Sequence, residues 1–189
     1  MSRLRIVGGE WRGVPLEAPE GRDVTRPTPG RTREQIASMV LSSFGLDLAG
    51  VSVLDAFAGS GALGLELLSR GAATCCFVDQ DRRAAARVRR NAQTLRAGSR
   101  THVVCGDVLR LAQAGSLWGA PFSLVLLDPP YAMDVGVVSG LVGALAGSGQ
   151  LAPRARVVYE HASDALGLAL ADPVKSKRRG VTAVDLYVL

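Results

Sequence analysis

The sequence has few of the residues that build disulfide-rich, metal-bound or membrane-spanning proteins. It holds three cysteines and two histidines among 189 residues. Cys75 and Cys76 are adjacent and Cys105 lies far from both, which fits neither a disulfide framework nor a zinc site and predicts small core residues on buried strands. No segment approaches the roughly 20 uninterrupted apolar residues of a membrane-spanning helix, and no apolar leader follows the polar start. We therefore expect a cytoplasmic protein without a metal or a membrane partner.

Lysine is almost absent as well. Of the 22 basic residues, which face 17 acidic ones, only Lys175 and Lys177 are not arginine. Arginine suits bidentate phosphate contact and base stacking better than lysine does, but a genome biased toward Arg, Ala and Gly codons would produce the same excess. Residues 82–110 hold eight arginines and one acid. This stretch indicates either a basic face that attracts a polyanion or simply a solvated helix surface.

The remaining pattern is that of one soluble α/β unit, which we expect to be a monomer. After residue 50, short apolar runs alternate with helical stretches, as in a parallel sheet covered on both faces. The sequence therefore predicts a doubly wound, mostly parallel, seven-stranded sheet of Rossmann-like type. Its last two runs, 173–179 and 181–189, predict an antiparallel hairpin at one edge. The other predicted strands are 51–57, 75–78, 102–105, 123–127 and 156–160, and the predicted helices are 62–70, 83–96 and 134–146.

The first fifty residues form a separate predicted region. The runs 3–7 and 14–18 flank a glycine-rich turn, which predicts a small β-hairpin with Trp11 and Arg12 exposed at its tip. A helix is predicted from Thr32, where Thr32 and Gln35 match a capping box, to a stop at Gly45. We accordingly divide the chain into residues 1–50 and a ligand-binding domain at residues 51–189.

A glycine-rich loop follows the first strand of that domain. Gly59, Gly61 and Gly64 satisfy the GxGxxG pattern between a strand and a helix, so the chain can turn tightly and a ligand can approach the backbone. The pattern alone is weak. It serves a dinucleotide, whose pyrophosphate lies at the helix N-terminus, and equally S-adenosylmethionine, which has no phosphate.

Acids after three successive strands favour the second ligand. Asp55 would repel a pyrophosphate but can receive an ammonium group, directly or through water. Asp79 can accept both ribose hydroxyls, although Asp81 could take that role or cap the next helix, and Asp107 either accepts the adenine amino group or caps a helix. The predicted cofactor site comprises Asp55, Phe57, Gly59, Gly61, Gly64, Asp79, Gln80, Asp107 and Val108.

The fourth strand leads directly into Asp128-Pro129-Pro130-Tyr131. Two prolines make a rigid extended corner at the carboxyl edge of the sheet, where ligands bind in open α/β folds. The Asp128 carboxylate and the Pro129 carbonyl could each accept a hydrogen bond from a nucleobase amino group, and Tyr131 could stack on the base. We predict that these four residues are catalytic, through in-line positioning of a methyl donor and an amine.

These motifs resemble those of class I S-adenosylmethionine-dependent methyltransferases that act on nucleobase amines. With Arg5 to Gly13, Arg26-Pro27-Thr28, and Arg31, Arg33 and Glu34 added, nearly the whole chain is similar to the bacterial 16S ribosomal RNA guanine-N2 methyltransferase family. The family has a glutamate where this chain has Asp79, which is equivalent for ribose hydroxyls.

The resemblance implies methyl transfer to the N2 amine of one guanine in 16S rRNA, within an assembled or assembling small ribosomal subunit. It also implies that the N-terminal hairpin contacts RNA and that the Arg-Pro-Thr segment lies near the catalytic pocket. The RNA-contacting candidates are then Arg3, Arg5, Trp11, Arg12, Arg26, Thr28, Arg31 and Arg33.

Three other functions fit parts of the sequence. A DNA or RNA adenine-N6 or cytosine-N4 methyltransferase would share both motifs, but such DNA enzymes commonly carry a separate recognition region, for which no stretch is left over. A nicotinamide-dependent oxidoreductase would explain the glycines but not Asp55 or the step from Asp128 to Tyr131. A non-enzymatic RNA-binding module would explain only the basic face.

Overall fold

The computed structural model describes residues 4–19 and 30–189. In these residues seven strands form one sheet in the order β3-β2-β1-β4-β5-β7-β6. Strands β1 to β5 run parallel, and β7 pairs antiparallel with both β5 and β6. The predicted doubly wound sheet with an antiparallel terminal hairpin is therefore confirmed. The strands are β1 Ser52–Asp55, β2 Thr74–Asp79, β3 Thr101–Cys105, β4 Phe122–Leu127, β5 Leu151–Ala162, β6 Lys175–Arg179 and β7 Thr182–Val188.

Helices cover both faces of this sheet. They are α1 Gly30–Ser43, α2 Ala62–Ser69, α3 Arg82–Thr94, α4 Val108–Gln113 and α5 Val135–Gly147, with a 3-10 turn at Gly98–Arg100. Helices α1, α2 and α3 pack on one face, and α4 and α5 on the other. Among the described residues, no helix has the length and apolar character to cross a bilayer.

Two features of the helices differ from the prediction. Helix α4 was not predicted, because its six residues are too few to show a helical period. Helix α1 begins at Gly30, so Thr32 lies inside its first turn, is buried, and does not act as the predicted cap. The helices predicted at 62–70, 83–96 and 134–146 are present as α2, α3 and α5.

The cysteines separate according to where they lie in the sheet. Cys75 and Cys76 alternate on β2 and point into opposite cores, and both are buried as predicted. Cys105 is exposed, and the expectation that it is a core residue was wrong. It ends β3, the edge strand of the parallel half of the sheet, where less of the surface is covered.

The predicted N-terminal hairpin is present and docks on α2. The Ile6 N–H donates to the Val14 carbonyl at 3.1 Å, and the Gly13 N–H donates back to the Ile6 carbonyl at 2.9 Å. Ile6 belongs to the same buried cluster as α1, α2 and α3. Trp11 is half-buried against this cluster, with the Arg100 guanidinium 5.2 Å from its ring centre, so the expectation of an exposed tryptophan was wrong.

Candidate functional site

A cleft of about 1120 Å³ opens at the carboxyl edge of the sheet. Residues that follow β1, β2, β3 and β4 line it, because parallel strands all end at the same edge. Of the predicted cofactor residues, seven lie in its wall, whereas Gly61 and Gly64 do not. The seven are Asp55, Phe57, Gly59, Asp79, Gln80, Asp107 and Val108.

The three loop glycines occupy different environments. Gly59 lies in the cleft wall. Gly61 has a φ of 73° at the start of α2, and a Cβ there would come within 2.9 Å of Val88. A Cβ on Gly64 would lie 2.5 Å from the ring of Phe77 and 3.0 Å from Oδ2 of Asp55. Gly61 therefore allows α2 to approach α3, and Gly64 allows it to approach the strands. Of the three glycines, only Gly59 lies in the cleft wall.

Asp79 and Asp81 have separate roles at the end of β2. The Gly59 N–H donates to Oδ2 of Asp79 at 2.8 Å, and the Asp81 N–H donates to Oδ1 at 2.9 Å, so Asp79 orders the glycine loop. Asp81 accepts from the Arg83 N–H at 2.8 Å and caps α3. Both line the cleft, but Asp79 is the one tied to the loop.

Asp55 forms the floor of the cleft and is only 4% exposed. The Gly64 N–H donates to its Oδ2 at 3.2 Å. Burial raises the pKa of Asp55 to about 7; the Gly64 hydrogen bond opposes that rise, and the nearby charges of Asp128 and Asp79 add to it. A carboxylate with so little compensation has strong affinity for a cationic ligand group.

Asp107 caps a helix and lines the cleft at the same time. It accepts from the Leu109 N–H at 2.9 Å and from the Arg110 N–H at 3.4 Å, at the start of α4. Its neighbour Val108 adds apolar surface beside it. The cap orients the side chain, which leaves the cleft side of this corner available to a ligand.

The step from Asp128 to Tyr131 forms another part of the cleft wall, at the end of β4, the strand next to β1. Asp128 is half-buried, Pro129 is buried, and Pro130 and Tyr131 are exposed at the cleft mouth. The Tyr131 hydroxyl lies 3.2 Å from the Thr182 hydroxyl at the start of β7. The rigid corner therefore stands next to the antiparallel hairpin, which places Tyr131 between the cleft and that hairpin.

Sequence reasoning missed two acids of this site, the exposed Glu17 in the N-terminal region and Glu160 on β5. Glu160 is buried and lines the cleft near Asp128 and Tyr131. Its position inside the apolar run that includes Val157 to Tyr159 was the available signal, since a carboxylate in a buried strand needs a reason. In the described residues, no group of three or more His, Cys, Asp or Glu side chains is placed to hold a metal ion.

The candidates for RNA contact fall into three groups. Arg5, Arg12 and Arg31 are exposed, and Arg5 also donates to the Gly13 carbonyl at 2.9 Å. Trp11 is half-buried and Arg33 is buried. Arg3, Arg26 and Thr28 lie outside the described residues.

Among the described residues predicted to contact RNA, Arg33 is the buried one. It is only 3% exposed, because α1 packs against the sheet and the hairpin on this side, and it lines the cleft. Its Nη2 donates to the Arg5 carbonyl at 2.7 Å, whereas Nε and Nη1 are buried without a hydrogen-bond partner in the described part of the chain. Burial lowers the pKa of Arg33, and the charge of Glu66 partly restores it.

A parallel sheet that carries such a loop and such acids at its carboxyl edge, and ends in an antiparallel hairpin, is the architecture of class I S-adenosylmethionine-dependent methyltransferases. The solved rRNA methyltransferase aviRa from Streptomyces viridochromogenes has this fold, with a TM-score of 0.66 and 19% identity over 89% of this chain and 88% of that one. A hypothetical protein from Thermus thermophilus matches with a TM-score of 0.75 and 31% identity over 96% of this chain and 97% of that one.

The family is narrower than this class. The family model described as conserved hypothetical protein 95 matches residues 4–188. Ribosomal RNA small subunit methyltransferase D of Escherichia coli strain K12 is 35% identical over 158 residues, which cover 84% of this chain and 74% of that protein. The chain belongs to this family of rRNA methyltransferases, so the resemblance inferred from its motifs is confirmed.

Proposed function

We propose that this protein transfers a methyl group from S-adenosylmethionine to the exocyclic N2 amine of one guanine in 16S rRNA. The observation that carries the proposal is that Asp128-Pro129-Pro130-Tyr131 lines the same cleft as the loop that Asp79 orders. The sequence similarity to a small-subunit rRNA methyltransferase supports rRNA as the substrate. We further propose that a monomer acts on the assembled or assembling subunit.

The donor set of the cleft fits S-adenosylmethionine. Asp79 can accept from ribose hydroxyls while its Oδ2 keeps the Gly59 N–H, since a carboxylate has about four acceptor sites. Asp107 stands where it can accept from an adenine amine beside Val108. S-adenosylmethionine, when bound, supplies the electrophilic methyl group and a good leaving group.

Two buried groups of opposite charge suit the amino-acid end of the same ligand. Asp55 is an acid with one hydrogen bond from the Gly64 N–H, and Arg33 has two buried donors without a partner among the described residues. Both line the cleft. An ammonium group would satisfy Asp55, and a carboxylate would accept from Arg33 in a charge-assisted hydrogen bond. We propose that Arg33 binds the carboxylate of the cofactor and not RNA.

Asp128 and Pro129 would act on the target amine. A guanine N2 nitrogen is conjugated with its ring and is a poor nucleophile. Acceptors on both of its hydrogens, the Asp128 carboxylate and the Pro129 carbonyl, favour the more tetrahedral nitrogen that attacks the methyl group. The exposed ring of Tyr131 can stack on the base, which is contributed by a loop nucleotide turned out of its stack.

The test is transfer of labelled methyl groups to small subunits from a strain that lacks the enzyme, with naked 16S rRNA and duplex DNA as parallel substrates. We expect labelled N2-methylguanosine from rRNA and a loss of about a thousandfold or more in turnover for Asp128→Ala, with S-adenosylhomocysteine binding retained. N6-methyladenine or N4-methylcytosine as the product would refute the guanine assignment. Full turnover by Asp128→Ala would remove the proposed amine clamp.

A further inference from the structure

The edge strand β6 is unusually basic and exposed. All five of its residues are exposed, and four of them, Lys175, Lys177, Arg178 and Arg179, are basic. This short strand contains both lysines of the chain. No part of the folded core requires this composition, because β6 has only one neighbouring strand in the sheet.

Alternation along β6 separates its basic side chains between the two faces of the sheet. Lys175, Lys177 and Arg179 are paired in register with Leu186, Val184 and Thr182 of β7. Leu186 and Val184 belong to the cluster beneath α1, so the three basic residues lie on the same sheet face as α1 and the N-terminal hairpin. Successive residues of such a row are about 6.8 Å apart.

The row begins next to the proposed target pocket. Strand β6 runs antiparallel to β7, which runs antiparallel to β5, so Arg179 lies at the carboxyl edge of the sheet, as the cleft does. Its register partner Thr182 is the residue whose hydroxyl lies 3.2 Å from that of Tyr131. The row therefore starts near Tyr131 with Arg179 and follows the edge strand β6 through Lys177 to Lys175, away from the carboxyl edge.

The three side chains have no ion pair or hydrogen bond with any other described residue. By contrast, Arg178 on the opposite face donates to the Ser163 carbonyl at 2.9 Å. Three uncompensated charges at regular spacing, leading away from a pocket proposed to hold an RNA base, complement a phosphodiester backbone.

We propose that Lys175, Lys177 and Arg179 bind successive backbone phosphates of the RNA strand that delivers the target base. This inference rests on the proposed function, since the row is oriented by the Asp128-to-Tyr131 pocket. It places the RNA across two basic elements of one face, β6 on one side and the N-terminal hairpin with α1 on the other. The competing explanation is that lysines on an edge strand only prevent pairing with another sheet.

Binding of 16S rRNA tests the proposal separately from methyl transfer. The double variant Lys175→Gln/Lys177→Gln should bind naked 16S rRNA roughly tenfold more weakly at moderate salt, with the slope of log affinity against log salt reduced by about 1.4, or about 0.7 per contact. Lys175→Arg/Lys177→Arg should keep both values. The control is Arg96→Gln/Arg154→Gln, which removes the same charge from exposed sites near the opposite, amino edge of the sheet.

Because the chain has two lysines, an amine-reactive reagent read by mass spectrometry reports on β6 alone, apart from the terminal amine. Bound 16S rRNA should protect Lys175 and Lys177, whereas S-adenosylhomocysteine should not. Unchanged RNA affinity, or an effect as large in the Arg96/Arg154 control, would overturn the proposal. The proposal would also be overturned if the glutamine variant only aggregated and kept its RNA affinity. An effect seen with intact subunits but not with naked rRNA would overturn it as well, because it would indicate a ribosomal protein as the partner. If the wild-type protein binds 16S rRNA through these residues but forms no N2-methylguanosine, the proposed function is wrong while the proposal that β6 binds RNA phosphates stands.

Discussion

Two buried carboxylates that contact α2 are compensated to different extents. Glu66, on α2 itself, is 0% exposed and accepts from the Val7 N–H at 2.7 Å, the Gly8 N–H at 2.8 Å and Arg70 at 2.8 Å. Asp55, at the end of β1, is 4% exposed and has a single hydrogen bond from this helix, at 3.2 Å from the Gly64 N–H. Arg33, which also lines the cleft, has two buried donors without a hydrogen-bond partner among the described residues.

The difference separates structural charge from charge kept for a ligand. A buried carboxylate costs several kcal/mol unless hydrogen bonds or an ion pair compensate it. Glu66 has that compensation from the hairpin that it holds in place. Asp55 has one hydrogen bond from the Gly64 N–H, and Arg33 has one hydrogen bond and only partial compensation from the charge of Glu66. Both line the cleft. We therefore expect substitution of Glu66 to change the stability of the fold, and substitutions of Asp55 and Arg33 to change cofactor binding.

Glu66→Ala should have the largest effect on folding. It leaves the N–H groups of Val7 and Gly8 and the Arg70 guanidinium without their acceptor, so we expect the free energy of unfolding to fall by about 3–5 kcal/mol in denaturant titrations. The control is Glu10→Ala, which breaks a surface pair with Arg100 and should cost less than about 1 kcal/mol. Equal losses in the two variants would contradict the structural role of Glu66.

The sequence predicted the sheet well because β1, β2 and β4 are mainly apolar runs between helical stretches. It also indicated the acids of the cleft, since Asp55, Asp79, Asp107 and Asp128 each end or closely follow a strand. Parallel topology then brings them to one edge without further information.

What the sequence could not show depends on packing between distant segments. Nothing local distinguishes Arg33 from exposed Arg31, because burial of Arg33 comes from the docking of α1 and the hairpin. The same holds for Glu66, whose partners Val7 and Gly8 lie far away in the chain. Basic residues of β6 went unassigned because their link to Tyr131 exists only through Thr182.

Asp55→Asn should stabilise the protein while it weakens cofactor binding. With its pKa raised to about 7, folded Asp55 keeps its proton to higher pH than the unfolded chain does, so its contribution to stability falls as pH rises from about 4 to 7. The neutral amide avoids this loss, and we expect a gain of about 2 kcal/mol at pH 8 that shrinks toward pH 4. Denaturant titrations across pH measure the gain, and calorimetry with S-adenosylhomocysteine measures the binding loss. A gain that does not depend on pH would exclude Asp55 ionisation as its source.

Arg33→Met should have a smaller and more selective effect. If the two free donors of Arg33 bind the cofactor carboxylate, the affinity for S-adenosylhomocysteine should fall about tenfold, or about 1.4 kcal/mol, while the affinity for its decarboxylated analogue stays unchanged. Arg31→Met, on the exposed side of α1, should change neither affinity. Equal weakening toward both ligands would show that Arg33 only supports the shape of the cleft. In that case, burial without full compensation would mark Asp55 as a ligand-binding group but not Arg33. The contrast with Glu66 would then apply to the two carboxylates alone.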